Sequence, residues 1–499
     1  MSEPHTTRRL QFAFGLTVAA TLMLVSQHWG MMLSNSDDPW LIRASWQDIE
    51  AFASGQKRFW MLIINYLTTL PYQWGGWTLG SLTKMVVNSA TLLAFFLFLR
   101  QLVHSAYALL VVLIWLALMD VSNGYYSAFH GYLLMFNLPM CLLFLSLAWY
   151  VKKTDAGASA VSLLGPFILF GLALLAYEPM LFFTAAFPAI SLLRAFEQNH
   201  SSPPIQFTTH SLTQFWQALW RWCKLHVFLF VVVIAFIFCY FGYRWWLGAG
   251  PSGLMDPGSD WGAVFKTMYR FSVHGFRPEF KSPTEYTFGI QSASSLWLGV
   301  AYATAIGFAA WWVIPQTDQT PTESRLRSPW AILILAGMVF SLNSLHALNE
   351  GYRQWAADNP YYVGNYLSSF GLAMLVTHAI QALVGGDKSR DERVLLILTV
   401  AFLMNSAASN MMKWGQLADR NRQDAQLWHL AIADLKQEQT KHPTQDWMIC
   451  AQHAPEKVSG DDRFWSYQLS KELGARVSYH SKQFSALPCD QVIDFDRYR

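Results

Sequence analysis

Two adjacent carboxylates, Asp37 and Asp38, stand in the run Ser36-Asp37-Asp38-Pro39-Trp40, directly after the first long apolar segment. Beside an interfacial Trp, burial and a like-charged neighbour raise one carboxyl toward the range of a general base. The same run also reads as a solvated loop, with Pro39 closing a turn and an Asp capping the next helix. Glu178 is a third carboxylate, alone in the apolar stretch Val161–Leu193. Such a residue is expensive in a membrane and faces either a cavity or another helix, as a binding group or as a hydrogen-bonded cap. His274 and Arg277 lie in His274-Gly275-Phe276-Arg277-Pro278-Glu279, and Arg353 precedes Asn359-Pro360-Tyr361-Tyr362. Arg suits phosphate because its planar fork gives paired hydrogen bonds, and Lys413 offers a further cation just beyond the last apolar run. Taken singly, each of these reads first as a surface charge, and their value lies in falling on one face.

The elements that must position these residues are apolar helices. The chain is 53% hydrophobic and 16% aromatic with 13% charged residues over 499 positions, against roughly 25% charged in soluble domains. Its 23 Trp and 20 Tyr suit two interfacial belts. A net charge of +3 without a dense basic run excludes nucleic acid as a partner. A crossing needs about 20 apolar residues. Spans are expected over Leu10–Leu33, Trp77–Leu99, Val103–Met119, His130–Val151, Phe228–Leu247, Ser294–Ile314, Trp330–Ala347, Tyr362–Val384 and Val394–Met412. Arg8 and Arg9 precede the first, which is too long for a signal-peptide core of roughly 7–15 residues and reads as a retained anchor. Lys84 and Asn88 fall early in the second span, where a long side chain can snorkel.

Val161–Leu193 would reach about 50 Å as a single helix, too long for one crossing. It is either two short spans turning at Glu178 or one span followed by an interfacial helix. Loop charge separates the two, because Lys and Arg favour the cytoplasmic side of short loops. The two-span form keeps Arg100, Lys152, Lys153, Arg194, Arg325, Arg327, Lys388, Arg390 and Arg393 inside. The one-span form exports the last five. The expected fold is therefore an all-α polytopic membrane protein of about eleven transmembrane helices, N-terminus cytoplasmic and C-terminus outside. The outer face then carries loop 34–76, with the apolar stretch Phe59–Tyr72 lying along the interface, and loop 248–293. It also carries the turn at Glu178, the Asn349–Pro360 stretch and everything after Lys413.

From Trp414 the chain turns polar. Asp419–Gln439 has helical apolar spacing, and strand-like runs at Trp447–Ala451, Arg476–His480 and Gln491–Phe495 surround a helical Phe464–Leu473. Residues 1–413 thus form the membrane domain and 414–499 a small extracytoplasmic α/β module, near the lower size limit for an independent core. Cys450 and Cys489 both fall on the side read as oxidising, where they form either a disulfide or two buried thiols. The sequence contains no GxxxxGK[ST], HExxH, GxSxG or Cys/His cluster.

An acidic dipeptide directly after the first span, followed by interface-parallel helices in the same loop (Trp46–Tyr72), resembles the GT-C superfamily of integral membrane glycosyltransferases. Among these the pattern is most similar to polyprenyl-phosphate-sugar-dependent enzymes such as the Gtr-type O-antigen glucosyltransferases. Tyr177-Glu178 looks like a second acidic position of some members. The resemblance covers about Arg8–Lys413 and excludes the module. It implies transfer of a sugar from a polyprenyl-phosphate donor to a glycan, lipid or protein acceptor at the periplasmic face of a bacterial inner membrane. Asp37 or Asp38 would serve as base with inversion, and Glu178 would orient acceptor or sugar. His274, Arg277, Arg353, Lys413, Tyr361 and Tyr362 would serve the phosphate side. The acidic pair is not a spaced DxD, so no metal or other cofactor is assigned. Two alternatives stay open: an O-antigen ligase or polymerase relying on His274 and Arg277, and a lipid or glycolipid transporter. The transporter would line a path across the membrane with polar residues, whereas here they gather at one end.

Overall fold

The computed structural model describes residues 3–31, 44–55, 61–120, 134–156, 159–191, 223–246, 260–273, 293–317, 363–384, 390–441, 446–454, 462–481 and 489–498, with 129, 220, 343, 347, 353 and 443 singly. Asp37, Asp38, His274, Arg277, Tyr361, Tyr362 and most of the expected span Trp330–Ala347 lie outside these residues.

Helix α1 (Glu3–Ser26) is followed by α2 (Trp46–Gly55) and α3 (Met61–Leu102). Helix α3 is two helices joined at Gly75 and Gly76, the latter at φ 58° and ψ −149°. Only glycine enters that region without strain, so the break falls where the sequence places the start of the second span. Helix α4 (Ser105–Leu118) is apolar on all sides, and every residue from Ala106 to Leu118 is buried. A helix of that kind belongs inside a bundle, and α4 is packed by α1 and α3 together with three later helices, α9 (Ala293–Thr317), α10 (Val363–Val384) and α11 (Arg390–Lys441).

Helix α5 covers Asn137–Asp155, later than the expected start at His130. Proline is best accommodated in the first turn of a helix, and a start at Asn137 puts Pro139 there. Helix α1 likewise stops at Ser26, short of Leu33, where His28–Met31 turn and Gly30 takes φ 71°.

Helix α6 (Leu164–Ala176) ends at an extended Tyr177, and Glu178–Ala185 continues as a 3-10 helix before residues 186–191 become helical again. The chain reverses there. Phe187 packs on both Phe170 and Phe167 of α6, and the Ser191 hydroxyl meets the Tyr150 hydroxyl, which also lies 2.8 Å from His226 Nε2. Glu178 thus marks a turn, as the two-span form requires. Helices α7 (Val227–Trp246) and α8 (Trp261–Val273) follow.

Among the described residues, six helices are long and apolar enough to cross a membrane, while Ser105–Leu118 and Ala160–Ala176 are shorter. The chain is a multi-pass membrane protein with fewer full-length crossings described than the eleven expected. Phe12, Leu22, Ile234, Phe238, Ile397 and Leu398 stand exposed on these helices; continuous apolar surface of this kind belongs against hydrocarbon. Where α9 meets α11, glycines admit close contact. A Cβ at Gly307 would come 2.4 Å from Met404 Sδ, and one at Gly299 would come 2.5 Å from Met412 Cγ. Small residues let helices approach in lipid, where no hydrophobic effect drives them together.

Helix α11 runs unbroken from Arg390 to Lys441, joining the last expected span to the polar amphipathic segment. The C-terminal module then forms a parallel sheet of β1 (Asp446–Gln452), β2 (Arg476–His480) and β3 (Gln491–Asp494) in the order β2-β1-β3, with α12 (Asp462–Leu473) between β1 and β2. All three strands and the helix fall where the hydropathy alternation puts them. Cys450 and Cys489 are disulfide-bonded. The module borrows its core from α11: Trp428 lies 4.1 Å from Trp465 and stacks on Phe495, and Tyr72 and Trp77 of α3 join the same cluster.

Candidate functional site

The end of the bundle that bears the module is built by residues leaving four helices. Helix α1 leaves through His28, which is 1% exposed and packs on Phe129 and Trp414 at 5.1 and 5.3 Å. Asn88, halfway along the second part of α3, donates to Phe129 O at 2.8 Å and lies 3.1 Å from His28 Nε2. A buried amide in a span needs such partners. Asn88 therefore ties α1 and α3 to the chain beyond α4. Lys84 does not snorkel: it is buried, with Nζ 5.9 Å from the Tyr72 ring centre.

The last carbonyls of α4 lack intrahelical donors, as at any helix C-terminus. Side chains supply them: Tyr302 Oη donates to Leu116 O at 2.8 Å and Asn410 Nδ2 to Ala117 O at 3.0 Å. Three residues beyond Ala117 stands Asp120, its side chain 1% exposed, and Lys413 Nζ lies 3.7 Å from its Oδ2 with 27% of that side chain exposed. Trp414, one residue on, donates its indole N–H to Leu24 O at 3.0 Å. The pair is thus bracketed by bonds that fix the backbone of α11 against α4 and α1.

Further along α11, Arg422 grips the chain leaving α1. Its Nε donates to Trp29 O at 2.9 Å, one terminal nitrogen donates to both Gln27 O and Gln27 Oε1 at 3.1 Å, and the other meets Asp419 Oδ1 at 2.7 Å. A Cβ at Gly30 would come 3.8 Å from Arg422 Cγ. This grip sits a few residues before Asp37 and Asp38 in sequence.

Glu178 is buried in a different wall of the bundle. Tyr177 packs edge-on against Phe136 at 4.9 Å, and Ala176 packs with Ile64 of α3. Phe136 adjoins Asn137, whose carbonyl accepts from Thr91 Oγ1 at 3.0 Å. Arg353 donates to Ala347 O at 3.2 Å. Asn343 donates to Ser272 Oγ of α8 and Ser368 Oγ of α10 at 3.0 and 2.8 Å, and neighbouring Ser369 takes the Trp115 indole proton. The end of α8 is therefore tied through Asn343 to α10, which bonds Trp115 of α4.

Of the sequence candidates, Glu178, Arg353 and Lys413 are among the described residues. Asp120, His28 and Arg422 were missed. Asp120 carries the signal that singled out Glu178, a carboxylate against a long apolar run, but at the edge of a span it reads as ordinary loop. His28 was hidden inside an apolar stretch read as span, and Arg422 within a polar helix.

In the module, His453 Nδ1 lies 3.0 Å from Asp494 Oδ1 and 3.1 Å from Asp496 Oδ2 on an exposed surface. The His453 hydrogen bond, then the Asp496 backbone N–H, hold the Asp494 carboxyl below its usual range.

No family model and no curated protein matches the chain. Among solved structures it is similar to the apo crystal structure of ArnT from Cupriavidus metallidurans, at 15% sequence identity and a TM-score of 0.39, over 98% of this chain and 90% of that one.

Proposed function

We propose that this chain is an integral membrane glycosyltransferase of the GT-C type. It would move a sugar from a polyprenyl-phosphate donor to a glycan, lipid or protein acceptor at the periplasmic face of a bacterial inner membrane. The observation that carries the reading is the partly exposed Lys413 ammonium near a buried carboxylate, on the helix whose Arg422 holds the chain leaving α1. The lipid tail of such a donor lies between spans, so its phosphate comes to rest at a helix end. A cation there stabilises the charge that develops on the leaving phosphate. Asp37 or Asp38 takes the proton of the acceptor hydroxyl as that oxygen attacks the anomeric carbon and the phosphate oxygen leaves from the opposite face, inverting the centre. Glu178 orients sugar or acceptor. His274, Arg277, Arg353, Tyr361 and Tyr362 are assigned to the phosphate side, and eleven crossings put all of them outside with the module.

The test is transfer from radiolabelled polyprenyl-phosphate sugars by the purified chain in proteoliposomes, scanned over sugars and envelope acceptors. Asp37→Asn or Asp38→Asn is expected to lower turnover about a hundredfold or more with melting unchanged. Full activity in both variants would refute the assigned base. Loss confined to His274→Ala and Arg277→Ala would favour ligase chemistry, and lipid movement without a new glycosidic bond would favour a transporter.

A further inference from the structure

We propose that His453, Asp494 and Asp496 of the C-terminal module form a binding site for one divalent first-row metal ion, zinc or manganese. The site is separate from the transfer reaction proposed above and does not depend on it. It lies where the topology of the sheet favours a ligand. From β1 the chain passes through α12 to β2 on one side, and β3 then pairs on the other side, with all pairing parallel. In open parallel sheets ligands bind outside the carboxyl ends of the strands, where the strand order reverses. Here that place is between the carboxyl ends of β1 and β3. His453 is the first residue past β1, and Asp494 is the last of β3 and pairs with Gln452. Asp496 follows in the 3-10 helix Phe495–Tyr498.

The donor set fits a cation better than it fits an ion pair. His453 Nδ1 lies 3.0 Å from Asp494 Oδ1 and 3.1 Å from Asp496 Oδ2, and the three atoms fall within 4.8 Å of one another. One ring nitrogen carries at most one proton, which cannot serve two converging carboxylates at full strength. A divalent ion serves all three groups at once. Bonds of about 2.1 Å meeting at right angles hold neighbouring ligand atoms about 3.0 Å apart, close to both separations found. An imidazole with two carboxylates suits zinc or manganese and disfavours calcium, which takes oxygen ligands at longer bonds. The Asp496 N–H donates to Asp494 Oδ1 at 3.2 Å, the kind of outer contact that orients a ligating carboxylate. His453 and Asp496 have other interactions as well; a metal takes one lone pair from each group, so such contacts coexist with it. The strands fix the spacing beforehand. Their ladder runs from Ile449 and Gln491 to Gln452 and Asp494, and the Cys450–Cys489 disulfide ties the same two segments. With the three side chains between 33% and 59% exposed, water completes the coordination and the ion can exchange.

The test uses the full chain in nanodiscs of zwitterionic lipid, stripped with a chelator and with its disulfide intact. Manganese is titrated in, the unbound ion is read by electron spin resonance, and zinc is then added as competitor. Wild type is expected to take up one equivalent of manganese that zinc displaces at lower concentration. Because the chain has 14 His, only the equivalent that disappears in the variants counts. His453→Ala, Asp494→Asn and Asp496→Asn should each weaken that site at least about tenfold. His453→Asp makes the donor set all-oxygen, so manganese should still bind while most of the preference for zinc is lost. This variant also serves as the probe if His453→Ala does not fold. Titrations of His453→Ala and Asp494→Asn that match wild type would leave only a solvated ion pair and overturn the site. An unchanged zinc preference in His453→Asp would overturn it equally.

Discussion

Single residues here act across long stretches of chain. Arg422 spends its guanidinium on backbone and side-chain oxygens of residues 27 and 29, so its work is to fix the exit of α1. Arg422→Ala is expected to cost about 1–3 kcal/mol of stability and to lower turnover more than that loss explains. Thermal melts beside transfer assays check this. The module carries a separate acid limit. Because Asp494 is depressed in the folded state, chiefly by His453, its contribution is present above the unfolded carboxylate value of about 4. It disappears as pH falls through the folded value. Asp494→Asn should flatten that acid limb in a pH-dependent melt. At the alkaline end, burial and then the bond to Asp434 push Tyr498 up to about 12. Its contribution is full below the unfolded value near 10 and is lost between about 10 and 12.

At the scale of elements, the seam between α9 and α11 is set by glycines. Gly307→Leu would drive a side chain into Met404, and overpacking of this kind costs about 1–3 kcal/mol. Since α11 also carries Lys413, phosphate affinity should fall with stability, a coupled loss that melts and binding on the same sample will show. Much at this scale was legible in the sequence. The strands of the module follow from short alternating runs, and Gly75-Gly76 and Tyr177-Glu178-Pro179 mark breaks because glycine and proline act locally. What was not legible depends on distant partners. Asp120 looks like loop until Lys413 is brought to it, and the turn at His28 looks like span until Asn88 and Trp414 surround it. Apolar periodicity says that a helix exists; it carries no information on which polar side chain will be met at its end.

At the scale of the molecule, we propose that the module lies in an oxidising compartment, as the loop-charge reading expects and as a Cys450–Cys489 bond would suit. With Cys450→Ala, an impermeant maleimide applied to spheroplasts should label Cys489 from outside. A cysteine introduced at Lys388 should react only after lysis. The opposite pattern would invert the topology and place the proposed site on the wrong face of the membrane.

The bond from Trp414 to Leu24 also has a meaning in time. It joins positions 390 residues apart, so a chain emerging from the ribosome completes nearly all of its helices before this end of the bundle can close. Lys413 is absent from every shorter nascent product, and the module that packs on α11 arrives later still. On the proposed reading, unfinished chains carry Arg277 and Arg353 but lack Lys413, so their phosphate side is incomplete. Donor engagement would then, on that reading, wait until synthesis has passed the last span, an order set by the sequence itself.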